Sequence, residues 1–141
     1  MGKPLIYWAA PLHDKQDQDR NLKYVTLLRF HGYKVYLPQE HGIWEDFSDR
    51  QAARRHLFKL DMKAMAQADI CIACFGDRDH KRAPSEGGIY EMGWMKGANK
   101  TVYLFNDEGY WEFNLMPEFG ADEVFTDFDM LLKRLESEQF R

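Results

Sequence analysis

The run Ser85-Glu86-Gly87-Gly88-Ile89-Tyr90-Glu91-Met92-Gly93 holds the residue types best suited to chemistry in this chain. It follows a loop that leaves the most apolar strand candidate, and it opens a predicted helix. Gly87 and Gly88 let a ligand approach the backbone closely, because no side chain stands in the way. Glu91 follows within the first turn or so of that helix, where free amide groups and the helix dipole favour an anion. An ionised carboxylate beside a glycine-lined pocket is what nucleophilic attack on a sugar carbon requires. The same glutamate also fits an ordinary first-turn acid that supports its own helix.

Other chemistries lack their usual supports. No G-x-G-x-x-G follows the first strand and no G-x-x-x-x-G-K-[ST] loop is present, so neither dinucleotide nor triphosphate chemistry is indicated. His13, His31, His41, His56 and His80 show no metal-ligand spacing with one another or with the cysteines, and read as surface or capping groups. Cys71 and Cys74 form a C-x-x-C pair within Ile70 to Phe75, which reads as a buried strand. Side chains three apart on a strand point to opposite faces, so the two thiols are core hydrophobes rather than a metal or disulfide pair. No metal and no cofactor are expected. Arg78, His80, Lys81 and Arg82, interleaved with Asp77 and Asp79, are the one basic cluster, read as a solvated loop or an anion site.

The elements that must position Glu91 alternate along the chain. Leu5 to Ala10 reads as a strand ended by Pro11. A helix follows from about Gln18 to His31, with Leu22, Val25, Leu27 and Leu28 at helical spacing and Gly32 as its stop. Tyr33 to Leu37 forms a second strand closed by Pro38, and Gln39 to Phe47 a loop without a period. Ser48 caps a helical stretch to about Ala68, broken somewhere within, with Leu57, Leu60, Ala64 and Met65 toward the core and Asp61 beside them. Ile70 to Phe75, Thr101 to Phe105 and Glu123 to Val124 to Phe125 are the remaining strands. The helix from Ser85 to Ala98, a loop spanning Trp111 to Pro117 and a last helix from Phe128 to about Glu138 complete the order. Such alternation predicts an α/β fold: a doubly wound, mainly parallel five-stranded sheet with helices on both faces, flavodoxin- or Rossmann-like. Ligands of such sheets bind beyond the carboxyl ends of the strands, where strand order reverses. The turn after Tyr7, the loop before Glu91 and the loop after Phe105 emerge there.

Size and composition agree. The 141 residues predict one domain over 1–141, and 45% hydrophobic with 30% charged residues describe a globular chain. A net charge of -4 argues against a nucleic-acid surface. No apolar run reaches the roughly 18 residues a membrane span needs, and the N-terminus lacks a secretory pattern, so the expected location is cytoplasmic. Trp8, Trp44, Trp94, Trp111 and several tyrosines exceed what a small core needs, which suggests a stacking pocket or a subunit interface.

Four segments together resemble the nucleoside 2-deoxyribosyltransferase family. Ile6-Tyr7-Trp8-Ala9-Ala10-Pro11 is similar to a family strand bearing a tyrosine and often followed by A-G-P. Asp61 precedes Asp69 by eight residues, and Asp69 leads into the third strand. Gly87 to Gly93 looks like the family's D-x-G-x-x-x-E-x-G, and Phe113-Asn114-Leu115-Met116 like its N-L-M segment. The resemblance implies that Glu91 attacks the anomeric carbon of a 2'-deoxynucleoside, displacing the base to leave a covalent glycosyl-enzyme, which a second base then takes up. It implies that Tyr7 holds the nucleophile by a hydrogen bond. Asp61 would bond the base or deliver its proton, and Asn114 and Met116 would complete a neighbouring protomer's pocket in a homo-oligomer. Substrates would be small nucleosides and nucleobases. Structural readings stand beside these: a solvated helix residue for Asp61 and a half-buried strand residue for Tyr7.

One position departs from the pattern. The family aspartate six residues before the nucleophile, a contact to deoxyribose, is Ser85 here. A serine there resembles the related deoxynucleoside 5'-monophosphate N-hydrolases, where it faces the substrate phosphate, a group that a helix N-terminus welcomes. Against that alternative, Pro11-Leu12-His13-Asp14 lacks the glycine- and arginine-rich phosphate cradle of that group. A third reading is a nucleotide- or sugar-sensing module without turnover.

Overall fold

In the computed structural model, residues 2–75, 85–109, 112 and 114–138 are described. The basic cluster between Asp77 and Arg82, together with Trp111 and Phe113, lies outside them. Strand β1 (Leu5–Ala9) leads to helix α1 (Lys15–Phe30) and strand β2 (Lys34–Tyr36). Two short 3-10 turns, Pro38–His41 and Trp44–Asp46, precede α2 (Arg50–Gln67) and β3 (Ile70–Cys74). Then come α3 (Glu86–Gly97), β4 (Thr101–Phe105), α4 (Leu115–Gly120), β5 (Glu123–Phe125) and α5 (Phe128–Ser137).

All strand pairs are parallel and the order is β2-β1-β3-β4-β5. The predicted doubly wound sheet is therefore the fold observed. Period-two alternation splits its core. Trp8, Ile70, Ile72 and Cys74 pack with Val25 and Leu28 of α1 and Leu131 of α5 on one face. Tyr7, Cys71 and Ala73 pack with Met65 of α2 and Met92 and Met95 of α3 on the other. Cys71 and Cys74 thus occupy opposite faces, both buried and free, as strand geometry requires.

Several local expectations change. Leu22 and Leu27 are exposed rather than core-facing, because the buried stripe of α1 runs through Asp17, Asn21, Tyr24, Val25 and Leu28. Its polar members are bonded. Trp8 Nε1 donates to Asn21 Oδ1 at 3.0 Å, and Arg20 meets Asp17 at 2.7 Å. α2 starts one residue later than expected, capped by Asp49 (whose side chain accepts from the Ala52 amide), and runs unbroken to Gln67. The segment after β4 holds a helix where sequence predicts only a loop. Asn114 caps α4 through the Met116 amide at 2.9 Å, and Pro117 fits its first turn.

β1 is the strand at which the connections reverse: β2 lies to one side of it and β3 to the other. The crevice beyond the carboxyl ends of β1 and β3 is where Asp61, Ser85, Gly87, Gly88 and Glu91 converge.

Candidate active site

A cavity of about 210 Å³ opens at that crevice, with Ala10 following β1, Gly87 and Gly88 opening α3, and Asp61 and Glu91 in its wall. Sequence separation hides this grouping. Strand order brings β1 beside β3, and α2 and α3 cover the same face of the sheet.

Glu91 sits in the second turn of α3, since the helix begins at Glu86 with Ser85 as its cap. The terminal amides and dipole act mainly within the first turn. The expected anion at the helix mouth is accordingly not what the structure holds. Burial, the largest cause, is opposed by a hydrogen bond from Tyr7 and aided by the nearby Asp61, and together they leave the Glu91 carboxyl raised to about 8. That bond runs from the Tyr7 hydroxyl to Glu91 Oε2. Tyr7 is fully buried in β1 rather than half-buried, and burial, followed by the charge of Glu91, pushes its hydroxyl pKa far up, so it stays a donor.

Asp61 lies on α2, partly buried, and its carboxyl is also raised by burial; a hydrogen bond from Tyr36 and the nearby His41 work against that rise. Tyr36 on β2 donates its hydroxyl to Asp61 Oδ1 at 2.9 Å. The rings of Tyr7 and Tyr36 stack at 5.4 Å and 13°, placed side by side by the parallel register Tyr7 to Tyr36. His41 stacks on Tyr36 in turn, at 4.4 Å and 9°. Tyr36 and His41 were not singled out from sequence. The signal is weak there: strand register alone pairs Tyr36 with Tyr7, and it requires knowing that β2 neighbours β1.

The two glycines differ. A Cβ on Gly88 would stand 2.7 Å from Phe75 Cε1, so this glycine lets α3 pack on the end of β3. A Cβ on Gly87 would meet nothing closer than Ser85 Oγ at 3.8 Å, which leaves the cavity side open for close approach. Ser85 lines the cavity while its Oγ accepts from the Gly88 amide at 3.1 Å. Its hydroxyl hydrogen is still available to donate.

Asn114 and Met116 do not line this cavity. Both are exposed on α4, beside the exposed Leu115 and Phe119. Of the tryptophans, Trp8 is core, Trp94 is half-buried, and Trp44 forms part of the cavity wall. Arg50 and Arg54 each stand 5.4 Å from the Trp44 ring centre, and His13, also in the wall, meets it edge-on at 6.4 Å. Among the described residues no group of three or more His, Cys, Asp or Glu could hold a metal ion, and no helix is long and apolar enough to cross a membrane.

A tyrosine donor and two partly buried carboxyls thus meet at the switch point of a doubly wound parallel sheet. The family model for nucleoside 2-deoxyribosyltransferase matches residues 6–131, and the chain belongs to that family. Among solved structures it is similar to a 2-deoxyribosyltransferase from the psychrotolerant bacterium Bacillus psychrosaccharolyticus. That likeness has a TM-score of 0.78 at 27% identity over 96% of this chain and 92% of the other. A 2-deoxyribosyltransferase from Leishmania mexicana gives 0.68 at 18% identity over 96% and 99%. A CMP N-glycosidase from Clostridium botulinum gives 0.57 at 18% over 93% and 97%. Those last two share the fold. No curated protein sequence matches the chain.

Proposed function

We propose that this enzyme cleaves the N-glycosidic bond of a 2'-deoxyribonucleoside and passes the deoxyribosyl group to a second nucleobase, with Glu91 as nucleophile. The observation that carries this reading is the Tyr7 hydroxyl bonded to the carboxyl of Glu91 in the wall of a cavity that Asp61 also lines. The charge of Asp61 adds to the rise of the Glu91 carboxyl. The productive form has Glu91 ionised and Asp61 protonated. Tyr7 favours that form by donating to Glu91.

The steps balance. A Glu91 oxygen bonds to the anomeric carbon as the carbon–nitrogen bond breaks, and the Asp61 proton passes to the departing base. The acceptor base then attacks the same carbon, Asp61 takes up its proton, and the ester to Glu91 breaks. Two inversions give net retention. Ser85 and Gly87 border the sugar, in keeping with their place in the wall.

Asn114 and Met116 complete the cavity of a neighbouring protomer in a homo-oligomer. Their absence from the wall of their own cavity and the exposed apolar surface of Leu115, Met116 and Phe119 support that arrangement. Such clustered exposure on a small protein marks an interaction surface.

The direct experiment incubates the protein with deoxyinosine and adenine and looks for deoxyadenosine by chromatography. Free sugar and hypoxanthine with adenine untouched exclude transfer. Ser85 favours a second reading, in which water replaces the acceptor and the substrate is a nucleoside 5'-monophosphate. Its hydroxyl lies at the N-terminus of a helix and in the cavity wall, suited to a phosphate. Faster cleavage of deoxyinosine than of its 5'-monophosphate removes that reading.

A further inference from the structure

The ring stack beside the cavity contains one hydroxyl that the scheme above does not use. Tyr36 touches both halves of the carboxyl pair's support: it stacks on Tyr7, the donor to Glu91, and its own hydroxyl donates to Asp61 Oδ1 at 2.9 Å. His41 stacks on Tyr36 at 4.4 Å and 9°, so the phenol is held by contacts to two near-parallel rings. Burial is the largest cause pushing the Tyr36 hydroxyl pKa up, which keeps it protonated and a donor.

We infer that Tyr36 is a positioning residue for Asp61, fixing which carboxyl oxygen carries the proton delivered to the departing base. An oxygen that accepts an O–H bond is disfavoured as the site of the acid proton, so the proton resides on Oδ2. A carboxyl anchored at one oxygen also loses the rotation that would swap its two oxygens. The proton is then presented from one place in every turnover. The stack sets the position of that anchor relative to the Tyr7 hydroxyl, so nucleophile and acid are registered through adjacent strands rather than through loops. This role rests on the proposed function of Asp61 as proton donor.

The test compares Tyr36→Phe, which keeps the ring and its stacking, with Asp61→Asn. Two substrates are used: deoxyguanosine, whose base departs best with a proton delivered, and N7-methylated deoxyguanosine, whose base leaves neutral without one. Tyr36→Phe is expected to lower kcat on deoxyguanosine by about ten-fold with KM within two-fold, and to leave the methylated substrate within two-fold of wild type. Asp61→Asn should show the same selectivity, more strongly. Equal losses on both substrates in Tyr36→Phe, or none on either, overturn the inference. Full activity of Asp61→Asn on deoxyguanosine removes the acid role of Asp61 instead, and this inference with it. A readout free of turnover is the carbon-13 titration of the Asp61 carboxyl, identified by its loss in Asp61→Asn. Its midpoint moves up in Tyr36→Phe because a donor to the anion is gone, and an unmoved midpoint also overturns the inference.

Discussion

The Tyr7 hydroxyl donates to Glu91 Oε2 across 84 positions of sequence. The bond crosses from β1 to α3, one of the helices covering the sheet. Among the described residues it is the polar contact that resists the effect of burial on the Glu91 carboxyl. Removing it with Tyr7→Phe leaves the ring's stacking intact and withdraws the donor. The Glu91 pKa then rises above about 8. Since attack needs the anion, the acidic limb of the rate profile shifts to higher pH, and the rate at pH 7 falls by about 10- to 100-fold. A pH series of initial rates checks the direction. An unshifted limb with a uniformly lower rate assigns Tyr7 to packing alone.

Glu91→Gln separates stability from activity. The folded carboxyl titrates near 8 and the unfolded one near 4.5, so between those values only the unfolded state has lost its proton. Stability contributed by keeping Glu91 neutral is full below about 4.5, declines as pH rises, and is gone above about 8. A neutral glutamine has no such decline. Glu91→Gln is therefore expected to exceed wild type in Tm at pH 8 by several degrees, corresponding to a few kcal/mol at most, and to match it near pH 4. Its turnover falls by about a thousand-fold or more, as for removal of a nucleophile. Thermal melts at the two pH values and a turnover assay check both halves.

How much of this was readable beforehand follows from the range of each interaction. Strands and long helices show in the sequence because their periods repeat within a few residues. A parallel sheet covered by helices follows from strand–helix alternation, which does not settle the strand order β2-β1-β3-β4-β5. α4 was missed because six residues are too few to express a helical period, and its markers, Asn114 and Pro117, are equally at home in a loop. Leu22 and Leu27 misled because the buried stripe of α1 includes Asp17 and Asn21, whose partners lie on other elements. Glu91, Asp61 and Tyr7 were legible as a set through the resemblance of their segments to the deoxyribosyltransferase family. The ionisation of Glu91 was not, since it depends on burial beneath neighbours distant in sequence. Tyr36 was invisible for the same reason.

The paired glycines yield opposite outcomes under the same substitution. Gly88→Ala places a methyl 2.7 Å from the Phe75 ring edge, within a packed contact, and costs about 1–3 kcal/mol. Gly87→Ala meets open space and, inside a helix, stabilises by about 0.5–1 kcal/mol through lost unfolded-state freedom. Its methyl enters the cavity side, so KM for the nucleoside rises while the fold gains. Denaturant midpoints with matched kinetics distinguish the pair. A stable Gly87→Ala with unchanged KM places the substrate elsewhere in the cavity.

The proposed neighbour's contribution is testable by mixing. Asn114→Ala removes the cap of α4, at about 1 kcal/mol, along with the side chain offered to the adjoining protomer. Glu91→Gln removes the nucleophile but leaves α4 intact. If each site draws Glu91 from one copy and Asn114 from another, the two variants exchanged together exceed the activity of either alone, since mixed assemblies carry some sites with both residues intact. Sites assembled within one chain give no such excess at any ratio, because every protomer then carries its own defect. Phe119→Glu supplies the control: Phe119 is 80% exposed, so the substitution spares the monomer's core. The added charge on an apolar interface lowers the assembly size seen by sedimentation, and activity falls with it. Retention of both size and activity in Phe119→Glu means that the exposed face of α4 is not where protomers meet.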